Sequence, residues 1–213
     1  MAKPTPKDYS TEARWPAAIA IIGLGGSALA LPDDMIPGPR WLVPIAIVLL
    51  LVPTLIAHRL GQHTVDRVLG YALSVIVTLA LAASLGSLLR LVGSRSGTDL
   101  LKSATVLWIT NILVFALWYW RLDAGGPHSR ESREGHTAGA FFFPQMMDSA
   151  PNVDPRWSPR FVDYLFLSFC TSTAFSPTDT PVLSRWAKLL TMVQALISLL
   201  CVAVLVSKGI GSL

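Results

Sequence analysis

The feature that most constrains this chain is a series of apolar runs, each close to the length a helix needs to cross a bilayer, separated by polar, turn-rich connectors. The hydrocarbon core of a membrane takes about 20 mostly apolar helical residues. Five segments approach or meet that length: 15–31, 41–57, 68–91, 100–120 and 186–206. Composition agrees: 14% of the 213 residues are charged and 52% are hydrophobic, where a soluble domain carries about 25% charged residues. The shortage of charge is local, because the charges gather in the connectors 31–40, 58–67, 93–99 and 121–160.

The first run is short, and Pro44 and Pro53 are expected to tilt or kink the second, which neighbouring helices can absorb inside a membrane. Gly23-Leu24-Gly25-Gly26-Ser27-Ala28 predicts close helix packing in a span rather than phosphate binding. Lys3, Lys7 and Arg14 ahead of an apolar stretch ending Ala28-Leu29-Ala30 have the outline of a secretory signal. Asp8, Glu12 and Pro32 argue against cleavage, so the segment is taken as a helix. Trp118, Tyr119 and Trp120 mark one membrane face, and Trp157 and Trp186, flanking the end of the longest connector, are expected at the same face. The Phe141-Phe142-Phe143 patch is expected on the interface or against a helix, and Asn111, midway along the fourth run, in an inter-helix hydrogen bond.

Residues 161–206 carry the functional reading: FVDYLFLSFCTSTAFSPTDTPVLSRWAKLLTMVQALISLLCVAVLV. The stretch 161–173 is apolar but too short to span. A Ser/Thr/Pro-rich stretch, 171–181, follows, and then a full-length apolar helix. Short helix, polar extended loop and spanning helix make up the pattern of a re-entrant pore loop. Non-helical backbone at membrane depth persists only where protein or water satisfies it, so hydroxyl groups at this position point to a cavity or pore.

Over about 45 residues this segment resembles the pore module of the potassium channel superfamily. Asp163-Tyr164-Leu165-Phe166-Leu167-Ser168-Phe169 is similar to the short pore helix, and Asp179-Thr180-Pro181 to the acidic residue and turn after the filter. Lys188-Leu189-Leu190, Met192 and Ala195-Leu196-Ile197 are similar to the opening of the inner helix. The segment also resembles uncharacterised bacterial multi-pass membrane proteins with Phe-Ser-Pro-Thr-Asp loops. The channel resemblance implies an outer helix at 100–120, a re-entrant pore helix and filter loop, an inner helix, and assembly as a homotetramer. The filter positions fall on Ala174, Phe175, Ser176, Pro177 and Thr178, without either filter glycine. Ser176 and Thr178 would reach glycine's backbone conformations only with strain, and Pro177 fixes its own φ. The resemblance therefore supports the fold more than potassium selectivity.

In a four-fold assembly the hydroxyls of Thr171, Ser172, Thr173, Ser176, Thr178 and Thr180 would each form a ring, and Asp179 a carboxylate ring that attracts cations. The bland alternative assigns the hydroxyls to satisfying backbone around a short buried helix, and Asp179 to capping its turn or pairing with Arg185 or Lys188.

Other chemistry is not expected. No zinc-protease, P-loop or nucleophile-elbow motif occurs, and Asp163 and Asp179 do not form a recognisable catalytic pair. His58, His63 and Asp66 read as interfacial residues rather than metal ligands, and Cys170 and Cys201 as small buried hydrophobes. No basic block suits nucleic acid.

The sequence thus predicts an all-α membrane protein with about five transmembrane helices plus a re-entrant helix and loop between the last two. It divides into an N-terminal membrane region, 1–99, and a channel-like module, 100–213. The expected function is passive cation passage, with monovalent cations and lipid as its partners, no enzyme activity and no cofactor. The expected location is a bacterial inner membrane. The channel topology would place the N-terminus outside, against the Lys/Arg of the long connector, which favours N-inside. The second reading is a structural or interaction protein that keeps the channel-like fold without conducting.

Overall fold

The computed structural model describes residues 12–131, 139–147, 157–177 and 179–210, with side chains through Lys208. Its α-helices are α1 (Trp15–Ala30), α2 (Leu42–Arg59), α3 (His63–Leu91), α4 (Gly97–Leu122), α5 (Pro127–Glu131), α6 (Phe161–Thr173) and α7 (Arg185–Ile210). Among the described residues, extended pairing is limited to one antiparallel bridge between Phe141 and Val182. Four helices, α2, α3, α4 and α7, are long and apolar enough to cross a membrane; α1, at 16 residues, is a shorter apolar helix. The all-helical, multi-helix expectation is met in that form.

Helix α4 is the hub. Ser96 opens it, its Oγ accepting from the Asp99 amide at 3.2 Å, and Asp99 in the first turn and Arg121 in the last suit the helix dipole. It is buried along most of its length, against α1 and α3 on one side and α6 and α7 on the other. Helix α2 packs on α1 and α3, and runs without interruption through Pro53.

The outward faces are apolar: Leu49, Val68, Leu79, Leu189 and Leu196 are all exposed. Small and polar residues face inward, most clearly on α7. There Ala187, Thr191, Gln194, Ser198 and Cys201 form a buried stripe at alternating spacings of four and three. This distribution suits a lipid solvent, in which close approach and interhelical hydrogen bonds join helices while leucines cover the outside. In α1, a Cβ at Gly23 or Gly25 would meet Leu113 or Ile47 at ordinary contact distances of 3.4 and 3.7 Å, so close packing does not require glycine there.

Contacts sort the connectors into two ends. At one, Asp34 pairs with Arg95. At the other, His63 at the start of α3 stacks on His128 of α5, ring centroids 3.5 Å apart.

Candidate functional site

Helix α6 runs beside α4 in the opposite direction. Its first residue, Phe161, packs edge-on against Trp120, centroids 5.7 Å apart. Further along, Ser168 Oγ donates to the Ile112 carbonyl at 2.7 Å. In the last turn, the Ser172 carbonyl accepts from Trp108 Nε1 at 3.4 Å. From Trp120 to Trp108 is twelve residues, about 18 Å of helix. Helix α6 therefore begins at the Trp118–Tyr119–Trp120 level and ends about midway along the 26-residue α4. The chain then comes back. The Phe142 amide donates to Pro181 O at 3.0 Å and the Leu183 amide to Ala140 O at 2.8 Å, and Phe141 lies 5.0 Å from Tyr119 and 6.2 Å from Trp186 between ring centroids. The seven residue steps from Ala174 to Pro181 reach at most about 23 Å when extended, enough for that return.

Two carboxylates start α6. Glu12 Oε1 accepts from the Phe161 amide at 2.6 Å and from Trp120 Nε1 at 3.0 Å, while Asp163 Oδ2 accepts from the Arg160 amide at 2.7 Å. They satisfy otherwise orphaned N–H groups and place negative charge at the positive end of the helix. The end of α4 is closed in the same corner. Buried Arg130 donates from Nη1 to the carbonyls of Trp120 and Asp123 at 2.8 and 2.9 Å, and lies over the Tyr164 ring at 4.9 Å. Asp123, 1% exposed, accepts from Tyr164 Oη at 2.6 Å and from the Ala140 amide.

Deeper down, the three helices share a polar network with no exposure to solvent. Gln194 Nε2 lies 2.8 Å from Ser168 O, 2.7 Å from Ser168 Oγ and 2.8 Å from Ser172 Oγ, and its Oε1 accepts from Tyr119 Oη. Asn111 Nδ2 donates to Gln194 O at 3.1 Å, and Ser198 Oγ to Ser172 O at 2.8 Å. Buried polar groups that answer one another in this way fix helix positions more sharply than apolar contact does.

The nine residues expected to form a filter fall into two groups. Thr171, Ser172 and Thr173 are the last turn of α6. Thr171 and Ser172 are buried, and their hydroxyls are engaged within the protein: Thr171 Oγ1 donates to Leu167 O at 2.8 Å, and Ser172 Oγ meets Gln194. Thr173, Ala174, Phe175 and Ser176 are exposed, Pro177 is half-buried and Asp179 is exposed. Thr178 lies outside the described residues. Phe175 follows the helix cap with φ +54°, a left-handed conformation usually left to glycine at that position. Exposed Val162, Phe166 and Phe169 give α6 an apolar outer face.

The inter-helix hydrogen bond expected of Asn111 is present, with the Gln194 carbonyl as its acceptor. Gln194 sits in what read as a uniform apolar helix; the signal was the recurrence of Thr191, Gln194 and Ser198 on one face. The fold and this corner define an all-helical chain compatible with an integral multi-pass membrane protein. Comparison with protein-family models, with curated proteins and with solved structures found no match.

Proposed function

We propose that this is a channel-like integral membrane protein in which α6 and the loop after it form a re-entrant segment, and that a homotetramer brings residues 173–179 around a cation path. The observation that carries the reading is the course of α6: it enters beside Trp120, stops halfway along α4, and gives way to non-helical chain that returns to the level where it entered. Non-helical backbone at that depth needs protein or water around it. The Thr173–Ser176 stretch and Asp179 are exposed at the surface of one subunit, which supports their facing a central cavity shared with other copies. The C-terminal end of α6 carries partial negative charge, and with Asp179 that favours cations over anions. In this reading the path is lined by Thr173, Ser176 and Asp179, with Thr171 and Ser172 holding the helix in place behind it. The proposed location remains a bacterial inner membrane.

The test is flux of K⁺, Na⁺ and Cl⁻, measured separately, through size-verified oligomers in liposomes, beside Asp179→Asn. Cation flux that falls in the variant supports the reading. Monomers alone in native membranes, or anion flux indifferent to Asp179, would overturn it. One observation favours the second reading, a non-conducting relative with the same fold: Phe175 is held left-handed and exposed where a filter would need small residues. Absent flux in verified oligomers, unchanged in Phe175→Ala, would select that reading.

A further inference from the structure

The first half of α1, the end of α2, the start of α3 and the α4–α5 corner line an open cleft that the conduction reading does not use. Arg14, Arg67 and Arg121 line it, with His58. Two buried nitrogens of these residues, Arg14 Nε and Arg121 Nε, have no hydrogen-bond partner among the described residues. Arg121 is 8% exposed, and no carboxylate among the described residues lies within ion-pair distance of it. Two carboxylates border the cleft: Glu131 pairs with Arg14 at 3.3 Å, and Asp66, which also lines it, faces His58 at 3.6 Å, so Arg121 is the guanidinium without a carboxylate at that distance among the described residues.

The crowding of charge is built in. Arg14 and Arg121 both lie against the Trp120 ring, 5.2 and 5.4 Å from its centroid, so one indole gathers two guanidinium groups. Gly70 of α3 makes room for one of them: a Cβ there would fall 1.7 Å from Arg121 Nη1. A guanidinium drawn out of water beside a like charge, with an N–H unanswered, is unfavourable unless an anion answers it. Guanidinium groups suit phosphate oxygens in particular, through paired N–H donors.

We propose that this cleft binds a phosphate group at the membrane surface, with Arg121 and Arg14 as its inner donors and Arg67 at its mouth. The headgroup of an anionic phospholipid is the source the cleft fits. The arginines sit at the tryptophan-marked interface, where headgroups lie. The cleft continues along Ala17, Ile21, Leu51 and Leu55 toward the bilayer core, an apolar track suited to an acyl chain. A soluble phosphate ion would use the arginines and leave that track empty. The inference stands independently of conduction.

The test uses the full chain in phosphatidylcholine nanodiscs, titrated in one arm with phosphatidylglycerol and in the other with inorganic phosphate. Binding is read by native mass spectrometry and by phosphorus NMR. The expected result is selective retention of phosphatidylglycerol, reduced about ten-fold in Arg121→Gln and less in Arg67→Gln. Gly70→Ala, which keeps every charge and only displaces Arg121, should weaken retention as well. Arg95→Gln, at the opposite end, should leave it unchanged. Saturable phosphate binding with the same variant pattern but no phosphatidylglycerol enrichment would keep the phosphate site and assign it to a soluble anion. Lipid retention identical in wild type, Arg67→Gln and a folded Arg121→Gln or Gly70→Ala, with no phosphate binding, would overturn the proposal.

Discussion

Replacing Gln194 with leucine should loosen the joint between α4, α6 and α7 by an amount the structure sets. Leucine keeps most of the volume, so cavity formation contributes little. What is lost is the amide: two N–H groups shared among Ser168 O, Ser168 Oγ and Ser172 Oγ, and the oxygen that accepts from Tyr119. Three hydrogen bonds at about 0.6 kcal/mol, the mean in membrane helices, give a loss of about 2 kcal/mol. At the roughly 1 kcal/mol typical of folded proteins the same three give about 3 kcal/mol. The expected destabilisation is therefore about 2–3 kcal/mol. It can be measured by reversible unfolding in mixed micelles, followed by tryptophan fluorescence. A double-mutant cycle with Tyr119→Phe should show coupling of about 0.5–1 kcal/mol. A Gln194→Leu protein within about 0.5 kcal/mol of wild type would refute the network as an organising element.

Three more outcomes follow from particular residues. Asp123→Ala leaves Tyr164 Oη and the Ala140 amide without their acceptor in a buried corner; it should cost about 2–4 kcal/mol in the same unfolding assay, and a neutral result would contradict the corner's role. Phe175→Gly removes a side chain from a left-handed position and should stabilise by about 1 kcal/mol or be neutral, whereas a loss above about 1 kcal/mol would mean that the ring makes essential contacts. The third concerns His128, whose pKa is lowered from 6.5 by burial first and then by its stacked neighbour His63, with Arg14 and Arg67 adding to the shift and Glu131 opposing it. A lowered pKa means that the unfolded chain binds the proton more readily, so the stability from this pair is full above pH 6.5 and is lost as pH falls through the folded-state pKa. An NMR titration of His128 with a midpoint at or above 6.5 would contradict this.

Four of the five expected spans were legible as helices long enough to cross, because membrane solvent imposes length and an apolar run either reaches about 20 residues or does not; the first run forms the shorter Trp15–Ala30 helix. The start of α6 was legible for a similar reason, as an apolar stretch too short to cross, followed at once by Ser, Thr and Pro. The contacts that hold α6 in place were not. Glu12, weighed in sequence as evidence against a cleaved signal, accepts from Phe161, 149 residues away. Asn111 and Gln194 meet across 83 residues. Polar partners so distant leave no local pattern, and only their inward faces betray them. The Phe141–Phe143 patch shows the intermediate case: composition placed it on the interface or against a helix, and the structure buries Phe141 between Tyr119, Tyr164 and Trp186. The arginine cleft was equally hidden, because Arg14 precedes the first apolar run while Arg67 and Arg121 come from two separate connectors of the sequence.

The central claim is that α6 enters and leaves on one side of the membrane. Single cysteines at Ser129, Leu183 and Ser94, in a chain with Cys170→Ala and Cys201→Ala, would test it in sealed vesicles with a membrane-impermeant maleimide. The account predicts that positions 129 and 183 react from the same side, opposite position 94. Labelling of position 183 from the side that labels position 94 would mean that α6 crosses the bilayer, and would contradict the account.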